Sequence, residues 1–442
     1  MPARSVAAVL FLFCAAAAAP AAHAQDLMQV WRDALANDPV YAASRAAYRA
    51  QTEKLPQARA DLLPLLTGEA GGRYDEARST RGLAYDHSGS RATWDLKLTQ
   101  PLFDWSRWQR FEQSKLIVAD AEVQLRQSQQ DLVLRVADAY FGILRAQDAL
   151  AATETEKAAV AEQLAAAKRK FELGTATITD TYEAQARYDL VVAEELRLQN
   201  AVQSQRDLLA KIIGSVPGAL AELPPGVTLP APQPARLADW SEQAQQASLD
   251  VLRAQLQTRI AGRDTEIARG RHYPTVNLQA SSGSASDSRL RGDGAGRPID
   301  NSVGVTLSIP LYAGGGISSQ VTEKVQLEQK SRQDYETARR EALRASREYY
   351  NGVITGLARV RALEAGEKSS RDAVSANQTG YELGVRINLD VLNAQQQLYA
   401  TQRDLAQARY QALLDGLRLK ATSGTLSDAD LEAINRLLRL PR

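Results

Sequence analysis

Two hydrophobic periods alternate along the chain, and each occurs twice. From Leu27 to Ala60 apolar residues fall at helical spacing behind an Asp26 cap, with Trp31 and Leu35 among them. Asn37-Asp38-Pro39 predicts a kink in this run and Pro56 a second one, because proline lacks the amide proton a helix interior needs. From Leu62 to Tyr74 and from Arg91 to Gln100 the period drops to two. In Thr93-Trp94-Asp95-Leu96-Lys97-Leu98-Thr99 apolar and polar side chains alternate, the pattern of a strand with one greasy and one wet face. The polar stretch Asp75 to Ser90 between them predicts a hairpin loop. Beyond Pro101 no proline occurs until Pro217, and Leu132, Val136, Tyr140 and Ile143 recur at three and four among many alanines. A helix from about Leu102 to Phe171 would be ~100 Å long at a rise of about 1.5 Å per residue.

The second half repeats the first at an offset of 210 residues. Phe171-Glu-Leu-Gly174-Thr-Ala-Thr-Ile-Thr179-Asp180 answers Tyr381-Glu-Leu-Gly384-Val-Arg386-Ile-Asn-Leu-Asp390, each closing one long helical run and opening another. Tyr140-Phe-Gly142 answers Tyr350-Asn-Gly352, Pro64 answers Pro274, Gln185 answers Gln395 and Gly214 answers Gly424. A second hairpin follows from Thr275 to Ser281 and from Val303 to Ile309, around a Gly-, Ser- and Asp-rich loop from Ser282 to Ser302. So long a period is not that of a solenoid. The glycines Gly174 and Gly384 are read as structural, supplying the left-handed residue that ends a helix.

These landmarks divide the chain into a first repeat over 25–214, a linker over 215–238, a second repeat over 239–424 and a tail over 425–442. The linker carries six prolines between Pro217 and Pro234 and is expected to wrap outside the helices. A new helix is expected near Asp239-Trp240, and Ser427-Asp-Ala-Asp430 predicts a capped short helix ending near Leu440.

Residues 1–24 read as a secretory signal: Arg4, an apolar run from Val6 to Ala19, and Ala22-His-Ala24 before the cleavage point. Cys14, the single cysteine, lies inside that segment after the bulky Phe13, so neither lipid attachment nor disulfide chemistry is expected in the mature chain. Lys and Arg number 53 against 52 Asp and Glu, a balance that gives no long-range attraction to nucleic acid. Aromatic residues make up only 6%, a composition of extended helices more than of a bulky catalytic core.

Apart from the signal, no uncharged apolar run is long enough to span a bilayer as a helix. Four amphipathic strands per chain then decide the architecture. Open sheet edges do not exist in hydrocarbon and a single-chain barrel needs at least about eight strands, so the barrel must be shared between chains. Two protomers would give eight strands and three would give twelve; the residues alone leave both open. Tyr74, Trp94 and Tyr312 are candidates for an aromatic girdle. The two turns end helices that begin at the hairpins, so they belong together, ~100 Å from the membrane. Asp390 and Asn393 share a face of the helix after the second turn; if that face lines a common axis, each protomer adds one carboxylate to a cation-selecting ring.

The chain resembles the TolC family of outer-membrane efflux ducts. The resemblance rests on Pro101-Leu-Phe103-Asp-Trp105-Ser-Arg107-Trp108, the strand-to-helix run Val303 to Gly316, both leucine-glycine turns and Gly424-Thr-Leu-Ser-Asp428, and it covers essentially the whole mature chain. It implies a homotrimer with one twelve-stranded barrel in the outer membrane of a Gram-negative bacterium, continued by a helical coiled-coil tunnel in the periplasm. It further implies docking to a periplasmic adaptor and to an inner-membrane transporter of RND, ABC or MFS type. Family gate positions fall on Thr179 and Asp180 in the first turn and on Tyr381 and Arg386 in the second, with Asp180–Tyr381 and Thr179–Arg386 as the implied pairs. Gln163 matches a constriction residue, but Gln378 stands where a glutamate is expected. Asp390 matches the first selectivity aspartate and Asn393 replaces the second, which implies weaker cation block. Within the family, the absent lipidation cysteine and Phe103-Asp-Trp105 favour the branch shared by protein secretion and multidrug efflux.

Other motifs carry no chemistry. Gly314-Gly-Gly316 lies between a strand and a helix but lacks the Lys-Ser/Thr of a phosphate loop, and is read as a tight turn. Arg291-Gly-Asp293 is read as chance. His87 and His272 lie far apart without metal-ligand spacing, and no carboxylate pair is marked as catalytic, so neither cofactor nor enzymatic activity is expected. The rival to an export duct is a non-conducting coiled-coil or adhesin scaffold of the envelope.

Overall fold

The computed structural model describes residues 25–77, 87–287 and 299–440. The signal segment, the Arg291-Gly-Asp293 motif and the tips of both hairpin loops lie outside them. The chain runs α1 (Leu27–Asn37), α2 (Pro39–Thr52), α3 (Lys54–Ala60), β1 (Leu65–Ala77), β2 (His87–Phe103), α4 (Trp105–Glu172) and α5 (Ile178–Ile213). After the linker it continues with α6 (Leu237–Ala247), α7 (Leu249–Gly270), β3 (Thr275–Asp287), β4 (Ile299–Ser308), α8 (Gly316–Glu382), α9 (Asn388–Thr422) and α10 (Asp428–Asn435).

The proline-free stretches became the long helices. The first, α4, has 68 residues and its counterpart α8 has 67, each ~100 Å at about 1.5 Å per residue. The break at Asp38 is two helices meeting at one residue: the Asp38 carboxylate accepts the amide of Tyr41 at 2.8 Å, and Pro39 begins α2. The Pro56 break sits at Glu53, just after Thr52, whose carbonyl the proline ring would crowd in a continuous helix.

The strands form one antiparallel sheet in the order β1-β2-β3-β4. Directly paired residues share a face. Leu66 pairs with Leu98, Ala70 with Trp94, Leu98 with Ala280, and Ala280 with Val303, so one face is apolar. The other carries Glu69 with Asp95, Thr67 with Lys97, Arg73 with Arg91, and Asn277 with Thr306. The strands run further than the alternation predicted, into the polar loops at 75–77, 87–90, 282–287 and 299–302. Ladder pairing carries them there: the hydroxyls of Ser281 and Ser302 meet at 2.8 Å, and a Cβ on Gly283 would lie 2.9 Å from the Trp94 carbonyl oxygen. Strands β1 and β4 are edges, and Tyr74, Trp94 and Tyr312 are all exposed.

The main core lies around the middle of the long helices. Leu27, Val30 and Trp31 of α1 pack with Leu132, Val136, Tyr140, Phe141 and Ile143 of α4, Leu209 of α5, Tyr410 and Leu417 of α9, and Leu431 of α10. The proline-rich linker does not merely wrap this belt. Leu220, Ala221 and Leu223 are buried in it, and Ala221 takes the Tyr140 hydroxyl on its carbonyl at 2.9 Å. Its backbone pairs with Gln25 on one side and Arg439 on the other; α10 ends at Asn435, and after a turn over 436–437 the chain joins this bridge at Arg439.

Two carboxylates of this belt titrate in opposite directions. Asp38 is held below its ordinary 3.8 by hydrogen bonds from Arg135, which outweigh the cost of its burial, with a smaller contribution from the Tyr41 amide. Its contribution to stability is full above that value and is lost as pH falls through the lower folded value. Asp148, which accepts the Tyr410 hydroxyl at 2.8 Å, is raised by burial, so the folded state retains its proton longer and stability falls as pH rises through this range. In urea titrations from pH 3 to 7, Asp38→Asn is expected to flatten the loss of stability on the acid side. Asp148→Asn is expected to leave neutral-pH stability equal to wild type or higher.

Candidate functional site at the helix tips

Both turns have the same backbone. Gly174 and Gly384 sit at φ 72° and 77°, ending α4 and α8 in the left-handed region, and a Cβ at either would meet open space. Thr175 and Val385 return their amides to Lys170 and Gly380. The turns meet: the Lys170 ammonium lies 3.8 Å from the centre of the Tyr381 ring. Around them Leu173, Leu383, Val385 and Ile387 are strongly exposed, an apolar crown on the tip.

The side chains differ between the copies, and the difference is chemical. In the first turn Thr177 caps α5, and the Asp180 carboxylate accepts both the Thr177 amide at 3.0 Å and the Thr177 hydroxyl at 2.8 Å, a closed capping box. The second turn has Ile387 in the capping position, which has no oxygen to offer, and α9 starts without a side-chain cap. Asp390, the counterpart of Asp180, lies instead 3.7 Å from the Arg386 guanidinium, the arginine exposed and the carboxylate half-exposed. The signal for the first arrangement, Thr-x-x-Asp, was present at Thr177-Ile-Thr-Asp180.

The implied pairs are not formed within the described protomer. The Tyr381 hydroxyl is buried with no partner, and Arg386 has Asp390 as its partner in place of the exposed Thr179. One oxygen of Asp180 is uncommitted among the described residues, so the carboxylate can take a further donor without leaving its cap. Gln163 is 9% exposed and donates its amide to the side chain of Asn388, while Gln378 is exposed and apart from it. On α9, Val391, Leu392 and Gln395 turn inward; Asn393 is exposed and Asp390 half so.

A second polar cluster escaped the sequence reading. Glu156 of α4, its side chain only 5% exposed, accepts from Arg187 of α5 at 3.1 Å and from Arg403 of α9 at 3.0 Å. Lys157 reaches Glu195 of α5 at 2.6 Å beside it. Between this cluster and the tip lies an apolar layer of Val160, Leu164, Ala167, Ala184 and Leu392. Among the described residues no group of His, Cys, Asp and Glu is arranged to hold a metal ion.

A sheet with one apolar face and open edges, carried on helices ~100 Å long with paired turns at the far end, defines an outer-membrane channel reaching into the periplasm. The chain belongs to the outer membrane efflux protein family, whose model matches residues 30–215 and 240–425, one match per repeat. It is 32% identical over 430 residues to the outer membrane protein TolC of Escherichia coli K12, covering 95% of this chain and 86% of that one. It is 31% identical over 425 residues to the alkaline protease secretion protein AprF of Pseudomonas aeruginosa, covering 93% and 87%. Among solved structures, the fold matches VceC of Vibrio cholerae with a TM-score of 0.78 at 21% identity, covering 90% of this chain and 96% of that one. The CmeC channel of Campylobacter jejuni matches with a TM-score of 0.79 at 15% identity, covering 93% and 89%. The protein is thus an exit duct of the outer membrane.

Proposed function

We propose that three copies of this chain assemble into one duct that accepts cargo from a periplasmic adaptor and an inner-membrane transporter, and that the duct carries out no reaction of its own. The observation that carries the trimer is the sheet. Its apolar face suits lipid and its polar face a lumen, but edges β1 and β4 cannot stay unpaired in hydrocarbon. Joining β1 of one protomer to β4 of the next closes twelve strands, each chain contributing its two repeats, 25–214 and 239–424. A non-conducting scaffold would need neither the apolar face nor charges at the tip.

Thr179, Asp180, Tyr381 and Arg386 are the gate in this reading. The partnerless Tyr381 hydroxyl and the spare Asp180 oxygen support it: both are hydrogen-bonding capacity left over among the described residues at the paired turns. Asp390 and Asn393 form the ring inside that gate, with three carboxylates in all. The exposed leucines and valine of the crown are the surface for the adaptor.

The test is the protein mass of the particle extracted from outer membranes in mild detergent, with the detergent subtracted. Three chains per particle are expected. A water-soluble monomer would leave four strands without partners and end the duct reading.

A further inference from the structure

We propose that Asn388 is the latch that positions the periplasmic gate, fastening the second turn to the first within each protomer. The inference rests on the duct reading above. Asn388 is the first residue of α9 and is fully buried, although it lies two residues from Arg386 and two from Asp390 at an otherwise exposed tip. Its amide is used at both ends: the oxygen accepts from Gln163 of α4, and the nitrogen donates to the backbone carbonyl of Asp180 in α5 at 3.2 Å. One side chain therefore joins three helices, and it holds the constriction residue Gln163 and the backbone of the gate residue Asp180.

The repeat shows why this residue is special. Its counterpart in the first turn is Ile178, which is 41% exposed and ties nothing. The first turn is fixed by its own capping box; the second has no cap and is fixed from outside, by Asn388. The α4/α5 and α8/α9 pairs meet along the α4–α9 seam, and a movement of α9 away from α4 and α5 breaks the Asn388 links together with the apolar layer of Val160, Leu164 and Leu392 one turn further along. Breaking them leaves the buried Gln163 amide without its partner and takes from the Asp180 carbonyl a second donor beyond its own helix bond, so the shut arrangement is favoured while the latch holds. Asn388 acts on the gate through Asp180 and the Arg386–Asp390 segment, without itself meeting cargo.

Single-channel recording of the full-length trimer in planar bilayers tests this. Asn388→Ala is expected to raise the fraction of time open about fivefold to tenfold, the size expected for lost buried hydrogen bonds. Asn388→Asp keeps the size and the bond from Gln163 but places an acceptor against the Asp180 carbonyl, and is expected to open the channel as well. Gln163→Ala removes only one of the two links and should open it less, and it should add nothing on an Asn388→Ala background, where that link is already gone. Intact Asn388→Ala trimers that gate as wild type would overturn the latch and leave the duct standing. If neither Asn388 variant yields trimers, Asn388 is a folding residue and the assignment fails. A wild-type trimer that forms no channel at all would remove duct and latch together.

Discussion

Glu156→Ala is expected to destabilise each protomer by about 3 kcal/mol. Removing one partner of a buried ion pair costs about 3–5 kcal/mol because the remaining charge is left without compensation. Here two guanidiniums are left, Arg187 with 18% and Arg403 with 26% of the side chain exposed, and this residual hydration places the loss at the lower end. Glu156→Gln keeps the shape and an acceptor oxygen but not the charge, so it is expected to lose less. Urea unfolding in detergent, followed by circular dichroism, measures both. Equal stability of Glu156→Ala and wild type would mean that the cluster is solvated and holds nothing. The position of the cluster adds a second expectation: because Glu156 ties α4 to both α5 and α9, the loss should appear as early melting of the tunnel helices, ahead of the Tyr140–Tyr410 belt.

The combined substitution Asp180→Ala with Arg386→Ser is expected to raise single-channel conductance well above wild type. In the proposed gate each link would be worth about 1 kcal/mol, as ordinary hydrogen bonds are, and three copies of the chain would repeat it, so that shut and open packings differ by the sum. The structure adds a control. Asp180 also closes the capping box of α5, and its removal costs the helix about 1 kcal/mol whether or not a gate exists. Thr177→Ala removes the cap and spares the carboxylate. If Thr177→Ala opens the channel as far as the double variant does, fraying of α5 explains the effect and Asp180 is not a gate residue. Only a rise confined to the double variant assigns these side chains to the gate.

The parts of this architecture that depend on period were legible from the residues. Proline-free apolar spacing predicted α4 and α8, and strict alternation around Trp94 and Val305 predicted which face of the sheet is greasy. Local patterns suffice for such elements because backbone bonding within a helix or between hairpin neighbours is short in range. The tip was only half legible. The glycine turns follow from Phe171-Glu-Leu-Gly174 and Tyr381-Glu-Leu-Gly384, but the side-chain partners hang on two positions where the copies differ, Thr177 against Ile387 and Ile178 against Asn388. The Glu156 cluster was hidden for another reason. Glutamates and arginines are abundant on every helix, and which of them become buried depends on how α4, α5 and α9 are rotated against one another, with Arg403 lying 247 residues from its partner. How the linker is anchored was not legible, because proline content marks irregular backbone without saying which of its side chains are covered; Leu220 and Leu223 are the ones that reach the core.

The open edges of the four-stranded sheet also bear on inheritance. A barrel completed by three chains is a shared product, so one protomer with a ruined β1 or β4 edge spoils the two sound chains that join it. In a cell making sound and edge-defective chains in equal amounts with random mixing, only about one trimer in eight would be wholly sound. Lesions in these strands would therefore behave as dominant, whereas truncations that never reach the membrane would be recessive, and a short peptide copying either edge strand would act as a poison of assembly.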